Sequence, residues 1–557
     1  MQNHQQGNRL SWGDTVFLHL EREGMPLNVA CISVLEGEIP FDDCLQFIES
    51  KLPLIPRLFK RVVAPPLNLG LPSWENDPNF DIRNHVREVT LKHGTDTELK
   101  ALAGKIVSTV LDRQHPLWDI TFVHGLKGDG LKGDGLKGER TGFILRLHHC
   151  MADGIAGVGI MSKLLDASPV APPLPKKKIR FRVPPHDAIN SLMDGVVSSY
   201  GDFVKGILSA WADLLAMAER VAANGGDLMP TDEFSRLMPE ITAFTERIRF
   251  NVNYRGPQKI AWADISLEEV KAVRETCGAS VNDVILALVT ATIRRYQVLH
   301  GDRVKGRLLR MMVPVSLRGS DSSGELGNRI SLVPVTVPLD IRNPRKLLAA
   351  VHKRMEFLKR SHAAELVGLT GGLIGMFPTV MQAFAGQVLS QLPITIFNLV
   401  CTNVPGPQYP LYLLGHKMLR WYPYVPVGGE MAVNCAILSY DGTVYFGFSG
   451  DVHAAPDLRR LETFLKLSFE ELREAAGVKP PGKSEKKVRA KTQEFKPPRK
   501  IEKKVQAETR EASKLAPEPV ATVRVSIPLT VPPPSVKLAE ALRPATEEER
   551  VLTQMIA

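Results

Sequence analysis

The sequence predicts a mixed α/β chain folded as two packed lobes and followed by a basic tail. Three observations carry this expectation. Phe143-Ile144-Leu145-Arg146-Leu147 reads as a strand, and after a short turn Ile155, Val158, Met161 and Leu165 recur at helical spacing. The length of 557 residues exceeds the usual size of one hydrophobic core, so two lobes with additional segments are expected. After about residue 477 the composition turns to Lys, Pro, Glu and Val, and residues 479–510 hold 12 Lys and Arg against 4 Glu. That surplus nearly equals the +10 of the whole chain. The lobes are therefore close to neutral, and the tail, with Phe495 as its one aromatic over that stretch, reads as disordered rather than as a nucleic-acid surface.

The elements follow in order. Met1 to Asn8 is polar and no apolar run follows, so no signal peptide is expected. The six cysteines (Cys31, Cys44, Cys150, Cys277, Cys401, Cys435) are widely separated without metal-type pairs, which suits a reducing cytoplasm. Pro116-Leu117-Trp118-Asp119 leads into a strand at residues 120–124, and a proline-fixed approach before a large aromatic makes a rigid wall or ordinary core packing. Gly125-Leu126-Lys127-Gly128-Asp129 is repeated from Gly130 and, imperfectly, from Gly135, too short for a solenoid and readable as an expanded, mobile hairpin loop. Residues 171–185 form a proline-bracketed basic strip, Lys176-Lys177-Lys178-Ile179-Arg180-Phe181-Arg182, read as a linker with attraction for anionic headgroups or CoA phosphates. Residues 187–223 have helical spacing and are expected to bridge the lobes. Asn282-Asp283 stand before an apolar helix at 284–293, as its N-cap or as contributors to a site. Residues 366–416 contain no Asp, Glu, Lys or Arg, but Pro378, Gln382, Gln387 and Pro393 interrupt any clean span. Buried helices or a lipid-dipping surface are the two readings, followed by a strand at 394–402. Asn403-Val404-Pro405-Gly406-Pro407 then reads as a fixed loop.

His148-His149-Cys150-Met151-Ala152-Asp153-Gly154 carries the chemistry. Period-two alternation puts His149 on the face of Phe143, Leu145 and Leu147 and His148 opposite, with Arg146. A neutral imidazole at such a junction can take the proton of a hydroxyl or amine attacking a thioester. Asp153 either accepts from the histidine or pairs with an arginine, for which Arg318 is a guess. Alternation points Cys150 away from His149, which argues against a cysteine nucleophile. Taken alone, the motif is as consistent with a plain strand-turn-helix junction.

Its companions make the chain resemble the bacterial wax ester synthase/diacylglycerol acyltransferases. They are Leu10-Ser11-Trp12-Gly13-Asp14-Thr15-Val16-Phe17-Leu18, residues 77–86, Pro116-Leu117-Trp118-Asp119, the histidine motif, Ser280 to Ala287, Pro314-Val315-Ser316-Leu317-Arg318, Gly327-Asn328, Asn403 to Pro407 and Tyr440-Asp441-Gly442 through Asp451. The resemblance covers roughly residues 8–475. It implies two chloramphenicol-acetyltransferase-like α/β lobes around a central substrate tunnel: an N-terminal lobe (1–180), an inter-lobe linker with helices (181–250), a C-terminal lobe (251–477) and the basic tail (478–557). It further implies His149 as general base, His148 shaping the site and Asp153 mainly structural. Gly154, Asn282, Asp283, Pro116, Leu117 and Trp118 are expected to support the site or bind substrate. The implied reaction is acyl-CoA-dependent esterification of diacylglycerol or a long-chain alcohol, with acyl-CoA as co-substrate and no metal or redox cofactor. Peripheral contact with the inner membrane or lipid inclusions is expected, and no nucleic acid. Two alternatives stay open at this point, a condensation-type acyltransferase acting on a glycolipid, polyketide or carrier-bound substrate, and a lipid-surface scaffold.

Overall fold

Local capping chemistry sets the helix starts along the chain. Ser11 accepts from the Asp14 amide at the start of α1 (Trp12–Leu20), and a reciprocal Thr95–Glu98 box opens a later helix. In the computed structural model, which describes residues 9–65, 71–128, 138–170, 245–316, 330–360 and 395–479, α1 is followed by β1 (Asn28–Glu36), α2 (Phe41–Lys51), β2 (Lys60–Val63), β3 (Ser73–Asn76), β4 (Val86–Thr90), α3 (Asp96–Val107), β5 (Trp118–Lys127), β6 (Glu139–His148) and α4 (Gly154–Leu164). The second half holds β7 (Gln258–Ser266), α5 (Leu267–Cys277), α6 (Val281–Leu299), β8 (Leu308–Ser316), β9 (Ile330–Pro338), α7 (Pro344–Arg360), β10 (Leu399–Pro405), β11 (Tyr412–Leu413), β12 (His416–Tyr424), β13 (Val433–Tyr440), β14 (Thr443–Asp451) and α8 (Arg460–Ala475).

Two six-stranded mixed sheets result, ordered β11-β12-β1-β6-β5-β4 and β7-β14-β13-β10-β8-β9, and β2-β3 form a separate ribbon. β5 and β6 are buried almost along their whole length, as strands covered on both faces must be. Each sheet has its own core, one around Ile32, Phe122, Phe143 and Trp421, the other around Val284, Val335, Phe446 and Leu465.

Sheet membership does not follow the chain. β12 lies in the second half of the sequence yet pairs with β1 in the first sheet, Ile32 opposite Tyr422, so the division of lobes at residue 251 does not hold for residues 412–424. The crossing strand needs a close approach: a Cβ on Gly447 of β14 would fall 1.8 Å from the Pro423 carbonyl oxygen, a position only glycine can occupy. Tyr422 stacks on Trp262 of β7 at 4.7 Å, and the Trp262 indole donates to Asp96 at 3.0 Å. Lys100 of α3 reaches Asp96 (2.8 Å) and Glu462 of α8 (2.7 Å). The two sheets are thus joined by the close approach of β12 to β14, stacked rings and a partly buried charge cluster.

Several boundaries differ from the sequence reading. β5 starts at Trp118 and runs to Lys127, because Trp118 and Asp119 already pair with Leu147 and Arg146; the first five-residue repeat is therefore partly strand, and residues 129–137 lie outside the described residues. α6 starts at Val281, not Val284, since Ser280 and Asp283 form a reciprocal capping box. β10 runs over 399–405 rather than 394–402. Asn403, Val404 and Pro405 are strand, held in parallel register against Ile437, Leu438 and Ser439, and the loop begins only at Gly406. The basic strip, the bridging segment at 187–223, Arg318, Gly327-Asn328, the apolar stretch through residue 394 and the tail from residue 480 lie outside the described residues. No single described helix is long and apolar enough to cross a membrane.

Candidate active site

The opening segment builds one wall of the site. Ser11 caps α1, its hydroxyl donating to the Asp14 carboxylate at 2.8 Å, and the Thr15 hydroxyl returns to the Ser11 carbonyl at 2.9 Å. The helix so fixed carries Phe17 near its middle and ends at Glu21. Those two residues contact the two motif histidines.

His148 closes β6 and is fully buried. Its amide donates to the Leu117 carbonyl at 2.9 Å. The Cys150 amide donates to its Nδ1 at 3.1 Å, which places the ring proton on Nε2. Nε2 faces the Glu21 carboxylate at 3.4 Å. Glu21 also accepts from the Leu27 amide (3.0 Å) and from Arg113 (3.1 Å). Burial opposes its ionisation, but His148, Leu27 and Arg113 outweigh that and lower its carboxyl to about 2. His148 is thereby locked in one tautomer and orientation.

His149 lies beyond the strand. The alternation reading ends at His148, because β6 stops there and the chain turns, with the His149 amide donating to the Leu27 carbonyl at 2.9 Å. Its ring lies flat on Phe17, centroids 3.9 Å apart and planes 9° from parallel. The residue is half-buried, its Nδ1 is buried without a hydrogen-bond partner among the described residues, and its surroundings are dense. Burial, partly offset by its own main chain and reinforced by neighbouring His148, lowers the imidazole to about 4. At neutral pH the ring is uncharged and able to accept a proton. Cys150 sits in the turn, buried, where burial and then Asp14 and Glu21 push its thiol well above the ordinary range, so it is held protonated.

Asp153 caps α4, its Oδ1 accepting from the Ala156 amide at 2.7 Å. Gly154 brings that helix start against the second sheet, since a Cβ there would lie 2.6 Å from Val404 Cγ2. One residue from Val404, the Asn403 side-chain amide donates to Asn282 Oδ1 at 3.2 Å. β10, which carries Asn403, thus packs against the start of the helix that follows the histidine turn. Asp283 points elsewhere: besides capping Ser280 it meets His352 Nδ1 of α7 at 2.8 Å.

Pro116, Leu117, Trp118 and Asp119 lie directly beside the motif. Trp118 is buried, donates from its indole to the Leu58 carbonyl at 2.7 Å and stacks on His85 at 4.5 Å. Asp119 binds the Arg146 fork through Nε (3.1 Å) and Nη2, and Arg146 Nη1 reaches the Thr109 carbonyl and hydroxyl. This buried pair anchors β6 two residues ahead of His148. Phe17, Glu21 and Arg113 escaped sequence reasoning because they sit far from the motif in the chain; the available signal was that Phe17 and Glu21 occur in or just after the opening segment and Arg113 three residues before Pro116.

Comparison with known proteins bears on the whole architecture. A model of the wax ester synthase/diacylglycerol acyltransferase catalytic domain matches residues 10–285 and one of the WS/DGAT C-terminal domain matches residues 326–473. A probable diacyglycerol O-acyltransferase of Mycobacterium tuberculosis, tgs1, is 28% identical over 473 residues, covering 82% of this chain and 93% of the relative. A second from that organism, tgs2, is 26% identical over 485 residues, covering 84% and 98%. The wax ester synthase/diacylglycerol acyltransferase of Marinobacter aquaeolei VT8 shares the fold at TM-score 0.57 and 23% identity, covering 84% of this chain and 100% of that one. The first condensation domain of the calcium-dependent antibiotic synthetase shares it at TM-score 0.52 and 15% identity, covering 84% and 96%. With the histidine motif inside the first matched domain and Asn403 inside the second, the chain belongs to the wax ester synthase/diacylglycerol acyltransferase family of acyltransferases.

Proposed function

We propose that the protein transfers a long-chain acyl group from acyl-CoA to the hydroxyl of diacylglycerol or a fatty alcohol, with His149 as general base. The observation that carries the reading is the state of His149: an uncharged imidazole, fixed flat against Phe17, with Nδ1 unpartnered among the described residues, in the turn of the family motif. In the proposed step the imidazole takes the acceptor's hydroxyl proton as its oxygen attacks the thioester carbonyl. The C–S bond then breaks, and the imidazolium returns the proton to the thiolate, giving ester and free CoA. Acyl-CoA is a co-substrate, and no metal or redox group takes part in this scheme. Asn282 is the proposed oxyanion donor. Asn403 occupies its Oδ1, which leaves the amide hydrogens of Asn282 as the groups to meet the developing charge in this scheme. His148 and Asp153 are positioning groups in this scheme, the first through Glu21 and the second as the α4 cap.

The experiment is free CoA thiol released from palmitoyl-CoA by the purified protein offered hexadecanol or dioleoylglycerol, beside His149→Ala. Release that depends on the acceptor and falls about 10²- to 10⁴-fold in the variant supports the scheme. No release with either lipid, or equal release from His149→Ala, overturns it.

A further inference from the structure

Asn282 stands on the first turn of a helix whose start is tied to a second helix by one histidine. α5 ends at Cys277 with Gly278 in the left-handed region, only Ala279 and Ser280 follow before α6, and the two helices are bent 101° apart. Asn282 is the second residue of α6, so its place follows from how that corner is held. Within the corner, the Ser280 amide donates to Asp283 Oδ2 at 2.8 Å and the Asp283 amide donates to Ser280 Oγ at 3.1 Å. From outside it, His352 Nδ1 meets the same Oδ2 at 2.8 Å. A carboxylate oxygen accepts, so the imidazole donates and carries a proton on Nδ1. His352 lies 69 residues farther along the chain, in the middle of α7, which Leu348, Val351 and Met355 anchor in the second core. Its Nε2 is 3.7 Å from Glu356 Oε1, one turn on. The Asp283 side chain is 2% exposed, and its Oδ1 is buried with no hydrogen-bond partner among the described residues. Without His352, the Ser280 amide is the one donor left to this carboxylate among the described residues.

From this arrangement we infer that His352 is a positioning residue for acyl transfer, acting through Asp283 to hold the first turn of α6 and with it the Asn282 amide. Two bonds from two other elements then fix Asn282: Asn403 of β10 holds its side chain, and His352 of α7 holds its turn. A buried carboxylate with two donors keeps one rotamer. With one donor it swings in search of another, and the box that sets Ser280, Val281 and Asn282 loosens. Imidazole suits the task, because a flat ring on two rotatable bonds donates from a fixed place where a lysine ammonium on its long stem would not. Displacement of a donor by about 1 Å is enough to cost a large rate factor. The inference rests on the proposed reaction, in which Asn282 meets the oxyanion.

The test measures CoA release from palmitoyl-CoA by the full-length protein, comparing His352→Leu and His352→Asn with the parent and repeating His352→Leu in an Asn282→Ala background. Asparagine carries its amide nitrogen at the δ position, as Nδ1 is, so it keeps the donor that leucine removes. Positioning predicts kcat about tenfold lower in His352→Leu with KM within about twofold, and kcat of His352→Asn within about threefold of the parent. Adding His352→Leu to Asn282→Ala should bring no further loss, because the group it positions is gone. Deuterium exchange of the backbone over 278–286, read without turnover, should quicken in His352→Leu and stay parental in His352→Asn. If leucine prevents folding, His352→Gln supplies the same comparison, since its amide reaches the ε position and misses Asp283. Parental kcat in His352→Leu, or the same proportional loss in both backgrounds, overturns the inference while leaving the reaction scheme standing. A parent that releases no CoA, or an Asn282→Ala protein with full kcat, refutes the scheme itself and the inference with it.

Discussion

Replacing Phe17 by alanine separates the protonation state of His149 from its presence. In the folded protein burial holds the imidazole at about 4 instead of the ordinary 6.5, and the Phe17 ring covers one whole face at 3.9 Å. Phe17→Ala opens that face to water and moves the value back toward 6.5. In the proposed scheme His149 works in its neutral form, so the acid limb of kcat/KM follows the free-enzyme value. At pH 5 the neutral fraction is roughly nine-tenths for a group at 4 and roughly one-thirtieth for one at 6.5. Full rehydration thus lowers the pH 5 rate up to about 30-fold, while at pH 8 both enzymes are neutral and differ only by the lost positioning. The assay is CoA release from pH 4.5 to 8.5 at limiting acceptor. An acid limb in Phe17→Ala that coincides with the parent's, or a loss independent of pH, refutes the argument. The same depression sets a stability term: the unfolded chain binds the proton between about 6.5 and 4 and the folded one does not, so stability falls as pH drops through that window.

Glu21→Gln keeps an acceptor for Leu27 but removes the charge facing His148, so urea unfolding at pH 7 should show a loss of about 2 to 3 kcal/mol that shrinks as pH falls from 4.5 toward 2, where the parent's own carboxylate is neutralised; a pH-independent difference counts against the pair. Gly154→Ala drives a methyl into Val404 and should cost about 1 to 3 kcal/mol, largely recovered by adding Val404→Ala; strictly additive effects in urea would show that the contact is not shared. Asp119→Asn leaves Arg146 buried beside a neutral partner and should destabilise by about 3 kcal/mol or more, read as a lower thermal midpoint of the whole chain, whereas an unchanged midpoint would show the fork is dispensable. Asn282→Ala should lower kcat about 10²- to 10³-fold with KM little changed if its amide meets the oxyanion; a rise in KM alone would assign it to binding.

Much of the architecture was legible because its determinants are local. Alternation marks β6 up to His148, helical spacing marks α4, and Asp153 stands at the strand-to-helix handover that the sequence shows. The histidine motif could be read for the same reason: base, turn and cap lie within seven residues. What escaped depends on contacts remote in sequence. Nothing along the chain says that β12 leaves its own half to pair with β1, since that choice rests on Gly447 lacking the Cβ that would stand 1.8 Å from the Pro423 carbonyl oxygen and on Tyr422 finding Trp262. Asn403 to Pro405 read as loop from their prolines, yet backbone pairing with β13 makes them strand. By itself the sequence determined which group stands at the strand-to-helix turn, an imidazole. Only the tertiary structure decided the state in which that imidazole is held, because burial against Phe17 and the charge of Glu21 on its neighbour come from α1, more than a hundred residues away, and desolvation and Coulomb interaction act through space rather than along the chain.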